Sequence, residues 1–111
     1  MNIWSLFKHR SIKLMLFKAQ HQLGLKNICI EDEDNIDFFS IALIKQNQPE
    51  VRAYVYTYGQ AQEMYGIHLE YPWFIENEFN DVIQVYEDLS LNQIVNTLAT
   101  HFEVASYEMA V

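Results

Sequence analysis

Two stretches of the chain alternate strictly enough to demand a sheet with one buried face. In residues 51–58, Val51, Ala53, Val55 and Thr57 point one way, and Arg52, Tyr54, Tyr56 and Tyr58 the other. In residues 64–71, Tyr65, Ile67, Leu69 and Tyr71 share one face, and Gly66, His68 and Glu70 the opposite one. The polar residues 59–63 between them form a turn, and so short a connection requires antiparallel pairing. Pro72 has no N–H to give to a ladder and ends the second strand. Such a pair is stable only when an apolar layer covers one side of it.

Segments at both ends supply that layer. Ile12, Met15, Leu16, Ala19 and Leu23 follow the spacing of one helical face, with Ser11 as the expected N-cap and Gly24 as the stop. Trp4, Leu6 and Phe7 precede this helix in an earlier turn. Core packing is favoured over a membrane-surface role for its stripe, because the basic residues lie among apolar ones. Near the other end, Ser90-Leu91-Asn92-Gln93 is a capping box, and Leu89 and Ile94 have the spacing of a hydrophobic staple. Leu91, Ile94, Val95, Leu98 and Phe102 then form the stripe of a second helix.

The remaining runs add strands. Residues 27–31 are short and β-branched, and residues 36–45 are apolar enough for a central strand buried on both faces. Residues 46–49 form a turn with a proline breaker, residues 31–35 a solvated acidic turn, and residues 81–86 an edge strand. The expected fold is α+β: a single domain over residues 1–111, in two layers. One layer is an antiparallel sheet of four or five strands, the other an N-terminal and a C-terminal helix.

The charge is divided along the chain. Residues 1–26 carry Lys8, Arg10, Lys13, Lys18 and Lys26 and no acid, for +5, whereas residues 27–111 carry −13. So acidic a body repels phosphate backbones, which argues against a nucleic-acid partner and for a cationic protein one. No apolar run approaches the ~20 residues that span a bilayer, and no membrane partner is expected. The segment 14–17 between Lys13 and Lys18 is too short for a secretory signal, and Cys29 is the only cysteine. A reducing cytoplasmic location is the simplest expectation.

Catalytic chemistry has little to stand on. His68 and Glu70 share a strand face, but His101 and Glu103 do not share a helix face, and no pair has the i, i+4 histidine spacing of a zinc site. The acidic run 31–34 lacks the glycine and glutamate of a calcium loop. There is no G-x-S-x-G and no phosphate-binding glycine loop, and Cys29 sits inside an expected strand as an inert thiol. No enzyme activity, metal or cofactor is expected.

Binding has more. Arg52, Tyr54, Tyr56 and Tyr58 form a tyrosine-rich face, with either Tyr65 and Tyr71 or His68 and Glu70 opposite, depending on register. That face either packs under a helix or meets a partner. Trp73 and Phe74 stand beside Glu76, Glu78 and Asp81, an aromatic anchor ringed by carboxylates. Asp32 and Asp34 are a reserve set for steering.

The stretch Tyr65-Gly66-Ile67-His68-Leu69-Glu70-Tyr71-Pro72, the acidic loop after it, and the capped helix ending His101-Phe102-Glu103 together resemble small bacterial immunity proteins. These are encoded beside contact-dependent growth-inhibition or other polymorphic toxins. The resemblance implies a cytosolic, non-enzymatic inhibitor that binds one cognate toxin domain, often a cationic nuclease. The +5 at the N-terminus departs from a uniformly acidic inhibitor. The competing expectation is a small accessory or regulatory domain that assembles with itself or another chain.

Overall fold

A computed structural model describes residues 3–24, 28–31, 37–46, 48–71, 74–75, 78–79 and 82–110. A short 3-10 helix at Ile3–Ser5 leads into α1 (Arg10–Leu23), and α2 (Leu91–Ala110) follows the last strand. The strands are β1 (Ile28–Ile30), β2 (Ser40–Lys45), β3 (Gln48–Tyr56), β4 (Tyr65–Tyr71), β5 (Phe74–Ile75), β6 (Glu78–Phe79) and β7 (Val82–Leu89). Five of them form one antiparallel sheet in the order β1-β2-β3-β4-β7, and β5 and β6 pair as a separate two-stranded ladder. The two-layer α+β fold with a helix at each end is as expected.

The alternation decides which sheet face is buried. Val51, Ala53 and Val55 of β3 join Tyr65, Ile67 and Leu69 of β4 and Ile41 and Leu43 of β2 in one core. Ile12, Met15, Leu16 and Ala19 close it from α1, and Ile94, Val95, Leu98 and Phe102 from α2. The Tyr65 hydroxyl, at the edge of this core, donates to the Ser11 carbonyl at 2.8 Å and so ties β4 to the start of α1.

Both helix ends follow local chemistry. At α2 the capping box is complete: the Gln93 side chain accepts from the Ser90 N–H at 2.8 Å, and Ser90 Oγ accepts from the Gln93 N–H at 3.2 Å. Gly24 closes α1 at φ 73°, where a Cβ is disfavoured, with its N–H on the Gln20 carbonyl. The start of α1 corrects the sequence expectation. The N-cap is His9, not Ser11, and its Nδ1 accepts the Ser11 N–H at 3.1 Å. An imidazole thus does the work that a serine hydroxyl does elsewhere.

Three strand boundaries also move. β2 starts at Ser40 rather than near residue 36, because the Asp37 carboxylate captures the Phe39 N–H at 2.9 Å and holds a turn there. β3 begins at Gln48 and takes in Pro49. Its register jumps from Lys45↔Gln48 to Ile44↔Arg52, and a proline is tolerated in such a bulge. The edge strand runs from Val82 to Leu89, longer than the segment 81–86 suggested, and it too is bulged, opposite residues 65–67. Asp88 adopts φ 55° beside that bulge, and its N–H bonds Gln60 Oε1 at 2.7 Å. The 57–64 turn is thereby fastened to the far edge of the sheet.

Candidate functional site

Among the described residues no helix packs on the sheet face opposite the core. The register there places Arg52 against Glu70, Tyr54 against His68 and Tyr56 against Gly66. Of the two registers open from sequence, the pairing with His68 and Glu70 is therefore the observed one. Tyr58 belongs to the same surface, although it lies two residues beyond β3 in the turn.

The rings on this face contact one another. Tyr56 stacks on Tyr58 at 4.8 Å with 22° between planes, and Tyr54 lies 5.8 Å from Tyr56. The His68 ring meets Tyr56 edge-on at 5.2 Å and Tyr54 at 5.9 Å. The Tyr54 and Tyr58 hydroxyls are 2.9 Å apart and share a hydrogen bond. Gly66 makes room for this arrangement: its missing side chain leaves a floor on which the Tyr56 ring lies, and Tyr56 is only 5% exposed as a result. Tyr58 is 50% exposed and forms the accessible top of the stack.

Carboxylates surround the rings. Arg52 Nε lies 2.8 Å from Glu31, and its Nη1 3.6 Å from Glu70, so this cation is already matched by acids. Glu87, exposed on the edge strand, accepts from the Tyr56 hydroxyl at 3.5 Å and from Gln60 Nε2 at 2.8 Å. Burial, and then the adjacent Glu87 charge, raises the Tyr56 phenol above its ordinary value. Burial and the hydrogen bond with Tyr54 push Tyr58 up more strongly. Both phenols stay protonated at neutral pH and offer hydroxyls and ring faces, not a base. Exposed aromatic faces next to carboxylates suit an incoming ammonium or guanidinium group, which gains from both.

Other predicted positions fare differently. Asp32, Asp34, Trp73, Glu76 and Asp81 lie outside the described residues. Phe74 and Glu78, expected in an acidic loop, lie instead in the β5–β6 ladder, which pairs Phe74 with Phe79 and Ile75 with Glu78. Cys29 is partly buried in β1, opposite Ile44.

Two features escaped sequence reasoning. An open groove of about 990 Å³ runs between the start of α1 and the 57–64 turn, bordered by His9, Arg10, Phe39, Tyr58, Glu63 and Leu91. His9 is engaged there in capping, so its imidazole is structural. Buried His101 is the second. Its Nε2 donates to the Arg52 carbonyl at 2.9 Å, fixing α2 beneath β3, and burial lowers its pKa. Lys45 is buried alongside and donates to the Phe102 carbonyl at 2.9 Å. No sequence spacing announces either contact, because the partners lie 49 and 57 residues away.

Among the described residues no group of three or more His, Cys, Asp or Glu side chains could hold a metal ion. No helix among them is long and apolar enough to cross a membrane. Neither a protein-family model nor a curated protein nor a solved structure matches this chain.

Proposed function

We propose that this chain is a non-enzymatic inhibitor of the immunity type, which holds a cationic toxin domain against its open tyrosine face in the cytosol. The observation that carries the reading is the Tyr54–Tyr56–Tyr58–His68 cluster, left uncovered by the helices and edged by Glu31, Glu70 and Glu87. Tyrosines give an interface large contact area at small entropic cost, with a hydroxyl for orientation. The −13 carried by residues 27–111 attracts a basic partner from a distance. The resemblance of residues 65–72 and of the capped helix to immunity proteins supports the same role.

The test is kinetic, against the toxin domain encoded by the adjacent reading frame. Tyr58→Ala and Tyr54→Ala should each speed dissociation about 30-fold, as the loss of an interface anchor worth about 2 kcal/mol requires. Glu87→Lys should chiefly slow association and flatten its dependence on salt. If Trp73→Ala speeds dissociation while both tyrosine variants are silent, the partner sits on the 72–81 segment and the sheet-face assignment fails. If the neighbouring product does not bind at all, the immunity reading fails and the competing one, an accessory domain, takes its place.

A further inference from the structure

Helix α1 has a second apolar ridge, turned away from the core. Ile12, Met15, Leu16 and Ala19 are buried, while Arg10, Leu14, Phe17 and His21, spaced i, i+4, i+7 and i+11, are exposed along the opposite side. The ridge continues into the preceding segment. The Trp4 ring packs on Phe17 at 5.9 Å and Phe17 on His21 at 4.6 Å. Phe7, 71% exposed, leans on Phe38 at 5.1 Å, and Phe38 leans on Phe39 at the same distance. Leu14 and Phe39 border the same groove. Of the eight large hydrophobic side chains exposed among the described residues, five therefore gather here: Trp4, Phe7, Leu14, Phe17 and Phe39. A soluble domain leaves so much apolar surface together only where something covers it.

The charge around the ridge says what covers it. Residues 1–26 contain no acid, and Arg10, Lys13 and Lys18 all belong to α1. At 100° per residue, Lys13 and Lys18 fall on opposite flanks of the Leu14–Phe17 line. Lys13 donates to the Trp4 carbonyl at 2.8 Å and Lys18 to the Asn92 side chain.

We propose that this face binds the surface of an anionic lipid bilayer. Leu14 and Phe17 stand on α1, Trp4 and Phe7 in the segment before it and Phe39 in the turn ahead of β2, a spread that a protein partner could match only with a shaped socket. The headgroup boundary accepts Trp, Phe and Leu without one, and its phosphates attract the flanking cations. Attachment is peripheral, with the rings reaching the headgroup and upper acyl level. The division of charge orients the molecule: the +5 segment faces the membrane and the −13 body is repelled from it. Tyr54, Tyr56 and His68, on the sheet face opposite the helices, are left free for a protein, while Tyr58 borders the groove that Leu14 and Phe39 also line. This departs from the expectation of no membrane partner, which rested on the lack of a bilayer-spanning apolar run and on the core stripe of α1.

The test is vesicle flotation of the full chain, together with Trp4 emission in a Trp73→Phe background. Vesicles of phosphatidylcholine with about 30% phosphatidylglycerol should bind the protein at low salt and shift Trp4 emission to the blue. Pure phosphatidylcholine, or about 0.5 M salt, should lower partitioning at least about tenfold. Phe7→Ser and Phe17→Ser should each lower it about tenfold with circular dichroism unchanged, since both rings lie outside the core. Absence of binding to the anionic vesicles overturns the proposal. So does equal binding to neutral vesicles, or indifference to both serine variants. Retention by single-stranded nucleic acid or an acidic protein, without vesicle binding, would also overturn it and give the face a different partner.

Discussion

Replacing Gly66 by alanine should destabilise the protein, whereas the same change in a Tyr56→Ala background should stabilise it. A Cβ on Gly66 would lie 2.7 Å from the Tyr56 hydroxyl oxygen and closer still to ring carbons Cε2 and Cζ. The ring must therefore swing aside. It then gives up its stack on Tyr58 and its edge contact with His68, aromatic pairs worth about 0.5–1.5 kcal/mol each. Against this, alanine in a strand is favoured over glycine by about 0.5–1 kcal/mol. The net loss is about 1 kcal/mol, or about 4 °C in Tm for a domain of this size. With Tyr56 truncated there is no ring to displace, and only the alanine preference of about 0.5–1 kcal/mol remains, with opposite sign. Urea denaturation of the four proteins in the cycle measures a coupling of about 1.5–2 kcal/mol. Gly66→Ala having the same sign in both backgrounds would refute the claim that the glycine is there to seat the ring. The single variant should also bind a tyrosine-face partner more weakly, because the platform itself has moved.

Two further outcomes concern stability. Ser90→Ala should lower the urea midpoint by the equivalent of about 1 kcal/mol through loss of the α2 cap, with no effect on partner association, and an unchanged midpoint would mean that the cap contributes nothing. Stability should also fall as the pH drops from about 7.5 to about 5.5, because burial lowers the folded pKa of His101 and the unfolded imidazole, titrating at about 6.5, takes up a proton that the folded one refuses. His101→Gln keeps a donor for the Arg52 carbonyl and should flatten that slope; a slope identical to the parent's would exclude His101 as its source.

Local chemistry made much of the fold legible in the chain itself. The Ser90–Gln93 box, the Gly24 stop and the alternation through β3 and β4 each depend on residues within a few positions of one another, and each forms as read. The same alternation set Arg52, Tyr54 and Tyr56 on one surface before any contact was known. The differences from expectation lie where a side chain two residues away claims a backbone N–H, as His9 does at Ser11 and Asp37 at Phe39. Ser11 looks like a cap, but it already lies inside α1, and its own N–H is taken by the imidazole of His9, the actual cap. A strand pattern cannot say which of its faces a helix will cover, since both faces of β3 carry groups that tolerate burial. Only the packing of α1 and α2 onto Val51, Ala53 and Val55 decided that the tyrosines face outward. Register was likewise open until β3 met β4, because a slip of one residue exchanges every side chain between faces. The pairing of Tyr56 with Gly66 resolved it, and with it the seat of the ring that organises the open face.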